Sequence, residues 1–179
     1  VIVGAIPTSL KGTQDLVPLT TANDALGGSF LSRINMDLRE TRHWSYGASG
    51  NFQRNLHGVG YALRAPVQAD RTGEAIAAMR ADVAGSLSNT PLTRAEFARA
   101  VTGGIRALPG SFEGSYAVLG AMQQNDLLGR PDDYYATLAR RYEALTLPGV
   151  SAAIRAVVDP AAMTWVVVGD ARTVRPQLD

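Results

Sequence analysis

Apolar side chains recur along this chain with two different periods, and the switches between them mark its elements. The β-branched run Val1-Ile2-Val3, continued by Ile6, predicts a strand that stops at Pro7, a residue unable to donate to a ladder. A polar loop, Thr8 to Gln14, leads into a predicted helix that ends at Gly27-Gly28, read as a helix C-cap and tight turn. Ser29 is the expected N-cap of a second helix reaching about Glu40, because Leu31, Ile34 and Leu38 stand at i, i+3 and i+7. The period then falls to two. Tyr46, Ala48, Gly50 and Phe52 alternate with polar neighbours, and Val59, Tyr61, Leu63 and Ala65 do so again after Arg54 to His57, which predicts an antiparallel hairpin.

Helical spacing returns at Asp70, with Ile76, Met79, Val83 and Leu87 on one face until Asn89-Thr90-Pro91. Thr93-Arg94-Ala95-Glu96 has the form of a capping box opening the next helix. Helices are also expected over 113–128 and 132–145, the latter with Tyr134, Leu138, Tyr142 and Leu145 as a core stripe, and from Leu147-Pro148 to about Val158. Met163 to Val168, closed by Gly169-Asp170, gives the strongest strand signal and is expected at the centre of the sheet, with Trp165 in the core. This order, a strand, two helices, a hairpin, a run of helices and a last strand, predicts the α+β class: an antiparallel or mixed sheet with helices packed on it. No linker or repeat divides residues 1–179, so one domain is expected, and its opening inside a strand-like run reads as a piece of a longer chain.

Composition removes whole classes of function. Seventeen Lys plus Arg against sixteen Asp plus Glu leave a net charge of +1, without the basic footprint of a nucleic-acid binder. The absence of cysteine excludes disulfide frameworks, thiolate zinc sites, iron–sulfur clusters and a cysteine nucleophile. The longest apolar stretches fall far short of the ~18 residues that suggest a membrane span. His43 and His57 have no partner glutamate in an H-E-x-x-H or H-x-x-E-H pattern, so no metal is expected on this chain. The serine-hydrolase elbow, the dinucleotide fingerprint and the phosphate loop are all missing.

The most informative segment runs Leu26-Gly27-Gly28-Ser29-Phe30-Leu31-Ser32-Arg33-Ile34 through Leu38-Arg39-Glu40 to Ser45-Tyr46-Gly47. In the pattern L-G-G-x-x-x-S-R-[IL]-x-x-x-L-R-E followed by S-Y-G, it resembles the second, non-catalytic half of the pitrilysin/insulinase family of zinc metallopeptidases. Pro91 to Phe97, Gly129 to Tyr135 and the closing Val166 to Asp170 follow in that family's order, so the resemblance covers nearly the whole chain. It implies an α+β pseudo-peptidase domain lacking its first strand, with no zinc of its own. Zinc is expected in a companion H-x-x-E-H domain, in cis or in trans, and a peptide is the implied substrate. Many bacterial members are exported.

The resemblance also implies a substrate-contacting arginine and tyrosine, matched here by Arg39 and Tyr46. The chemistry suits them, since a guanidinium is a rigid fork of donors for carbonyls and a phenol can donate to the oxyanion formed when water attacks a peptide bond. Taken without the family, Arg39 would complement a helix dipole and Tyr46 would be a half-buried sheet residue. His43 and Trp44, where many members have a glycine and a small or aliphatic residue, read as loop fillers, and Arg33 is expected to pair with Asp37 on the helix surface. Two other functions compete: a structural or assembly subunit without chemistry, and a stand-alone peptide-binding module.

Overall fold

The computed structural model describes residues 1–178 and has the expected α+β architecture. Four strands, β1 (Ile2–Pro7), β2 (Ser49–Arg54), β3 (Val59–Ala65) and β4 (Thr164–Val167), form one antiparallel sheet in the order β2-β3-β1-β4. In register, Ile2 stands opposite Ala65 and Val167, and Gly50 opposite Leu63. Ile2, Ile6, Tyr61, Leu63 and Ala65 are buried on one face. That face is covered by helices α1 (Val17–Asn23), α2 (Arg33–Asn35), α3 (Thr72–Leu87) and α7 (Leu147–Val157), whose Leu19, Ile34, Met79, Val83 and Val150 complete a single core. A satellite cluster of Val17, Tyr134 and Leu138 lies under α6 (Tyr134–Glu143), beyond α4 (Arg94–Ala107) and α5 (Ser115–Leu127). A short α8 (Ala171–Val174) follows β4.

Several expectations are corrected. The closing strand β4 lies at the edge of the sheet, paired with β1 alone, and Val166 and Val168 are 56% and 70% exposed. An unbroken apolar run marks burial on both faces only where other layers pack on both faces of the sheet, and here the face carrying Thr164 and Val166 is exposed. The helix after the double glycine begins at Arg33, because Ser29 to Ser32 form a turn closed by the Ser32 N–H on the Ser29 carbonyl. Ser29 is not the N-cap of this helix; it closes the preceding turn, its hydroxyl donating back to the Asp24 carbonyl, and Leu31 is left 52% exposed. Trp165 is only partly buried, its ring lying across Gly4 so closely that a Cβ there would sit 2.6 Å from it.

Gly27 and Gly28 close a wide, π-type turn, Asp24–Gly28, that extends α1, and neither has positive φ. Gly27 serves close approach instead of left-handed geometry: a Cβ there would lie 2.7 Å from the Gly50 amide nitrogen of β2. Asn23 secures that approach from inside the core. Its Nδ2 donates to the Gly50 carbonyl at 2.7 Å, and its Oδ1 accepts the Tyr61 hydroxyl at 2.9 Å.

Candidate functional site

A second π-type turn, Met36–Thr41, carries α2 onward and contains Arg39. The turn stops because the Trp44 and Ser45 amides both donate to the Leu38 carbonyl, with His43 between at φ +56°. That left-handed position favours glycine, and His43 holds it with its ring Nδ1 3.0 Å from the Arg39 carbonyl. The chain then crosses the sheet edge. Ser45 bridges to Val67, the Gln68 amide donates to the Trp44 carbonyl, and the Ser45 hydroxyl lies within bonding distance of the Pro66 carbonyl and the Gly47 amide. Asn35 holds the other flank, donating to the Phe30 carbonyl at 2.7 Å and accepting the Ala48 amide at 2.9 Å. Sequence reasoning missed Asn35 and Ser45 as positioning residues; an amide on the buried side of a short helix was the available signal.

This frame displays Tyr46 outside β2, 98% exposed, its hydroxyl without a partner among the described residues. The half-buried sheet position is therefore not the one it occupies. Arg39 stacks its guanidinium 4.5 Å above the Phe30 ring and takes one contact, Nε to Glu40 Oε1 at 3.1 Å, leaving its outer nitrogens unbonded among the described residues. The two side chains stand between two depressions and line both. One, of about 620 Å³, is bounded by His43, Trp44 and Gln68; the other, of about 320 Å³, by Gly28, Phe30 and Ser49. His43 and Trp44 thus shape the wall of the larger depression as well as filling a loop. Arg42 bonds Asp37 at 2.7 Å and lies 4.8 Å from the Trp44 ring. Asp37 is consequently taken, and Arg33 reaches instead across to Glu96, a correction to the expected i, i+4 pair.

The residues present do not fit a zinc site. His57 lies in the β2–β3 turn and His43 before the other end of β2, a strand of roughly 20 Å. No group of three or more His, Asp or Glu side chains placed to hold a metal occurs among the described residues. No helix among them is long and apolar enough to cross a membrane.

Fold and site together define an α+β domain with no group of side chains placed to hold a metal among the described residues. The sequence profile of the peptidase M16 inactive domain matches residues 1–103, and the chain belongs to that family. The match includes the segment from Leu26 to Gly47 on which the pitrilysin resemblance rests. No curated protein sequence matches. Among solved structures, the peptidase M16 inactive domain from Pseudomonas fluorescens superposes with a TM-score of 0.79 at 22% identity, over 92% of this chain and 39% of that one. A protease from Helicobacter pylori gives 0.78 at 13% identity, over 92% and 40%. The inactive peptidase domain of a candidate zinc protease from Bordetella parapertussis gives 0.77 at 20% identity, over 92% and 90%. The chain thus spans about two fifths of the first two relatives and nearly all of the third.

Proposed function

We propose that this inactive domain closes over a peptide bound at a companion zinc-binding domain, in cis or in trans, and that Arg39 and Tyr46 complete the active site. The reading includes residues 1–179 as one pseudo-peptidase domain of a larger endopeptidase. The observation that carries it is Tyr46: an aromatic ring fully in solvent, on a frame of satisfied hydrogen bonds that fixes its backbone, beside a guanidinium with free donors. A large side chain on a fixed backbone and buried against nothing stabilises no fold, and is suited to a surface that arrives from outside. In the assembled enzyme the Tyr46 hydroxyl donates to the oxygen on which charge develops, and the Arg39 fork holds a neighbouring substrate carbonyl. The metal and its water chemistry belong to the companion domain.

The test is peptide hydrolysis by the complete zinc-loaded gene product carrying Tyr46→Phe or Arg39→Ala. Loss of one oxyanion donor costs ~2.7–4 kcal/mol in other enzymes, so Tyr46→Phe is expected to lower kcat/KM by roughly 10²–10³-fold with the melting temperature unchanged. If both variants match the wild type, the domain is a scaffold.

A further inference from the structure

A third depression, of about 310 Å³, shares no lining residue with the two beside Arg39 and Tyr46. It lies where the end of β2 meets the start of α6, and its walls carry Arg54, Arg130 and the rings of Phe52, Tyr134 and Tyr135. Arg54 donates from Nη2 to the Gln14 carbonyl at 2.9 Å, whereas its Nη1 is buried with no acceptor among the described residues. A buried guanidinium donor without an acceptor is destabilising, so its persistence calls for a partner.

Arg130 is delivered by backbone geometry. The Gly129 amide donates to the Asp126 carbonyl and the Arg130 amide to the Asn125 carbonyl, the paired bonds of a Schellman ending to α5. Gly129 takes φ +60° there, which aims the chain back so that the Arg130 guanidinium stacks 4.1 Å from the Tyr134 ring centroid. Neither Arg54 nor Arg130 forms an ion pair among the described residues. Asp15, the carboxylate that acts on Arg54, is bonded to Arg141 at 3.4 Å, and Arg141 lies 4.6 Å from the same ring; Asp126 and Asp132 line a neighbouring depression with Arg130 without forming an ion pair with it. Burial first, and then the Arg130 charge, push the Arg54 guanidinium below the usual arginine range, with Asp15 opposing.

Two unneutralised guanidinium groups beside one cavity, one of them lacking an acceptor, form a site whose counter-charge comes from outside. We propose that this cavity binds a carboxylate borne by an aromatic or apolar residue of a peptide, held between Arg54 and Arg130 with its apolar part against the tyrosine wall. A simple inorganic anion offers nothing to bury on Phe52, Tyr134 and Tyr135, whereas a cavity of this size admits a side chain. The carboxylate belongs either to the peptide's C-terminus or to an acidic side chain next to an apolar one. This surface is separate from the oxyanion role of Tyr46, and its occupancy is read without catalysis.

The full-length protein is titrated with N-acetyl-phenylalanine, N-acetyl-aspartyl-phenylalaninamide and the uncharged N-acetyl-phenylalaninamide, followed by ligand-observed NMR. At least one acid binds, the neutral amide binds on the order of tenfold more weakly, and the tighter acid identifies the source. Arg54→Gln and Arg130→Gln each weaken the acid on the order of tenfold, while Tyr46→Phe does not. Equal binding of acid and amide, equal binding of inorganic phosphate, no binding of either acid, or an Arg130→Gln protein that binds like wild type each overturns the proposal. Should Arg54→Gln fail to fold by circular dichroism, Arg130→Gln carries the test, because its guanidinium makes no ion pair among the described residues.

Discussion

Replacing Glu96 by glutamine puts a number on the clamp that holds the site-bearing segment in place. The Glu96 carboxylate receives Arg33 Nε at 2.8 Å and Arg33 Nη2 at 2.7 Å, a two-pronged pair, and also the Thr93 amide at 2.8 Å and the Thr93 hydroxyl at 2.7 Å. Arg33 spends its remaining donors on the Ser86 hydroxyl and on the Thr90 and Pro91 carbonyls, so one guanidinium ties α2 to α3, to the connection and to α4. The Glu96 side chain is 16% exposed. Burial would raise its pKa, but the bonds from Arg33 and Thr93 override burial and pull it from its ordinary 4.5 down to about 2. A depression of that size corresponds to about 3 kcal/mol in favour of the folded, charged form, which solvent screening at the rim reduces to about 2 kcal/mol. Because the folded pKa is lowered, the contribution is complete above about pH 5 and is lost as pH falls from 4.5 toward 2. At pH 7, Glu96→Gln is therefore expected to unfold about 2 kcal/mol more easily by denaturant titration, with melting lowered by roughly 5 °C. The difference from wild type narrows as pH drops through that window. A gap that is absent at pH 7, or that stays constant down to pH 2.5, refutes the assignment.

Two further substitutions probe the backbone that frames Arg39 and Tyr46. His43→Gly removes a side chain from a φ of +56° at the end of the α2 turn, and is expected to raise stability by ~0.5–1 kcal/mol despite losing the ring contact to the Arg39 carbonyl; unchanged or lower melting refutes it. Gly27→Ala forces a Cβ to within 2.7 Å of the Gly50 amide nitrogen and should cost ~1–3 kcal/mol, since the atoms it meets are backbone and cannot swing aside; melting within a degree of wild type would show that α1 and β2 can separate freely.

What the sequence made legible was local. The i, i+3, i+7 spacing of Ile76, Met79 and Val83 located α3, and the Thr93–Glu96 capping box forms as its spacing predicts, because both depend on neighbours within one turn. The resemblance singled out Arg39 and Tyr46, and the structure sets them side by side as walls of the same two depressions. Long-range choices stayed hidden. Arg33 had a nearby acid at Asp37, yet its partner is 63 residues away, because Arg42 takes Asp37 from the other side. Likewise, β4 carried the strongest apolar run and still lies at an edge, for nothing in a strand's own composition records how many strands flank it. The cavity between Arg54 and Arg130 needed three distant segments to converge, and periodicity is silent about such meetings.

Within the segment from Leu26 to Gly47, the residues that hold the fold are distinct from the two to which the proposed function gives a chemical role. Ile34 and Leu38 are fully buried, Asn35 and Arg33 bond across to other elements, and Gly27 lies against β2, whereas Arg39 and Tyr46 project away from all of them. On the proposed function, Tyr46→Phe is expected to lose activity at unchanged melting, the mark of a lost donor, whereas any loss in Glu96→Gln is expected together with lowered melting, the mark of a weakened clamp. The two kinds of defect also differ with pH. Only the second grows smaller relative to wild type in acid, because only the second removes a carboxylate held near pKa 2 by the fold.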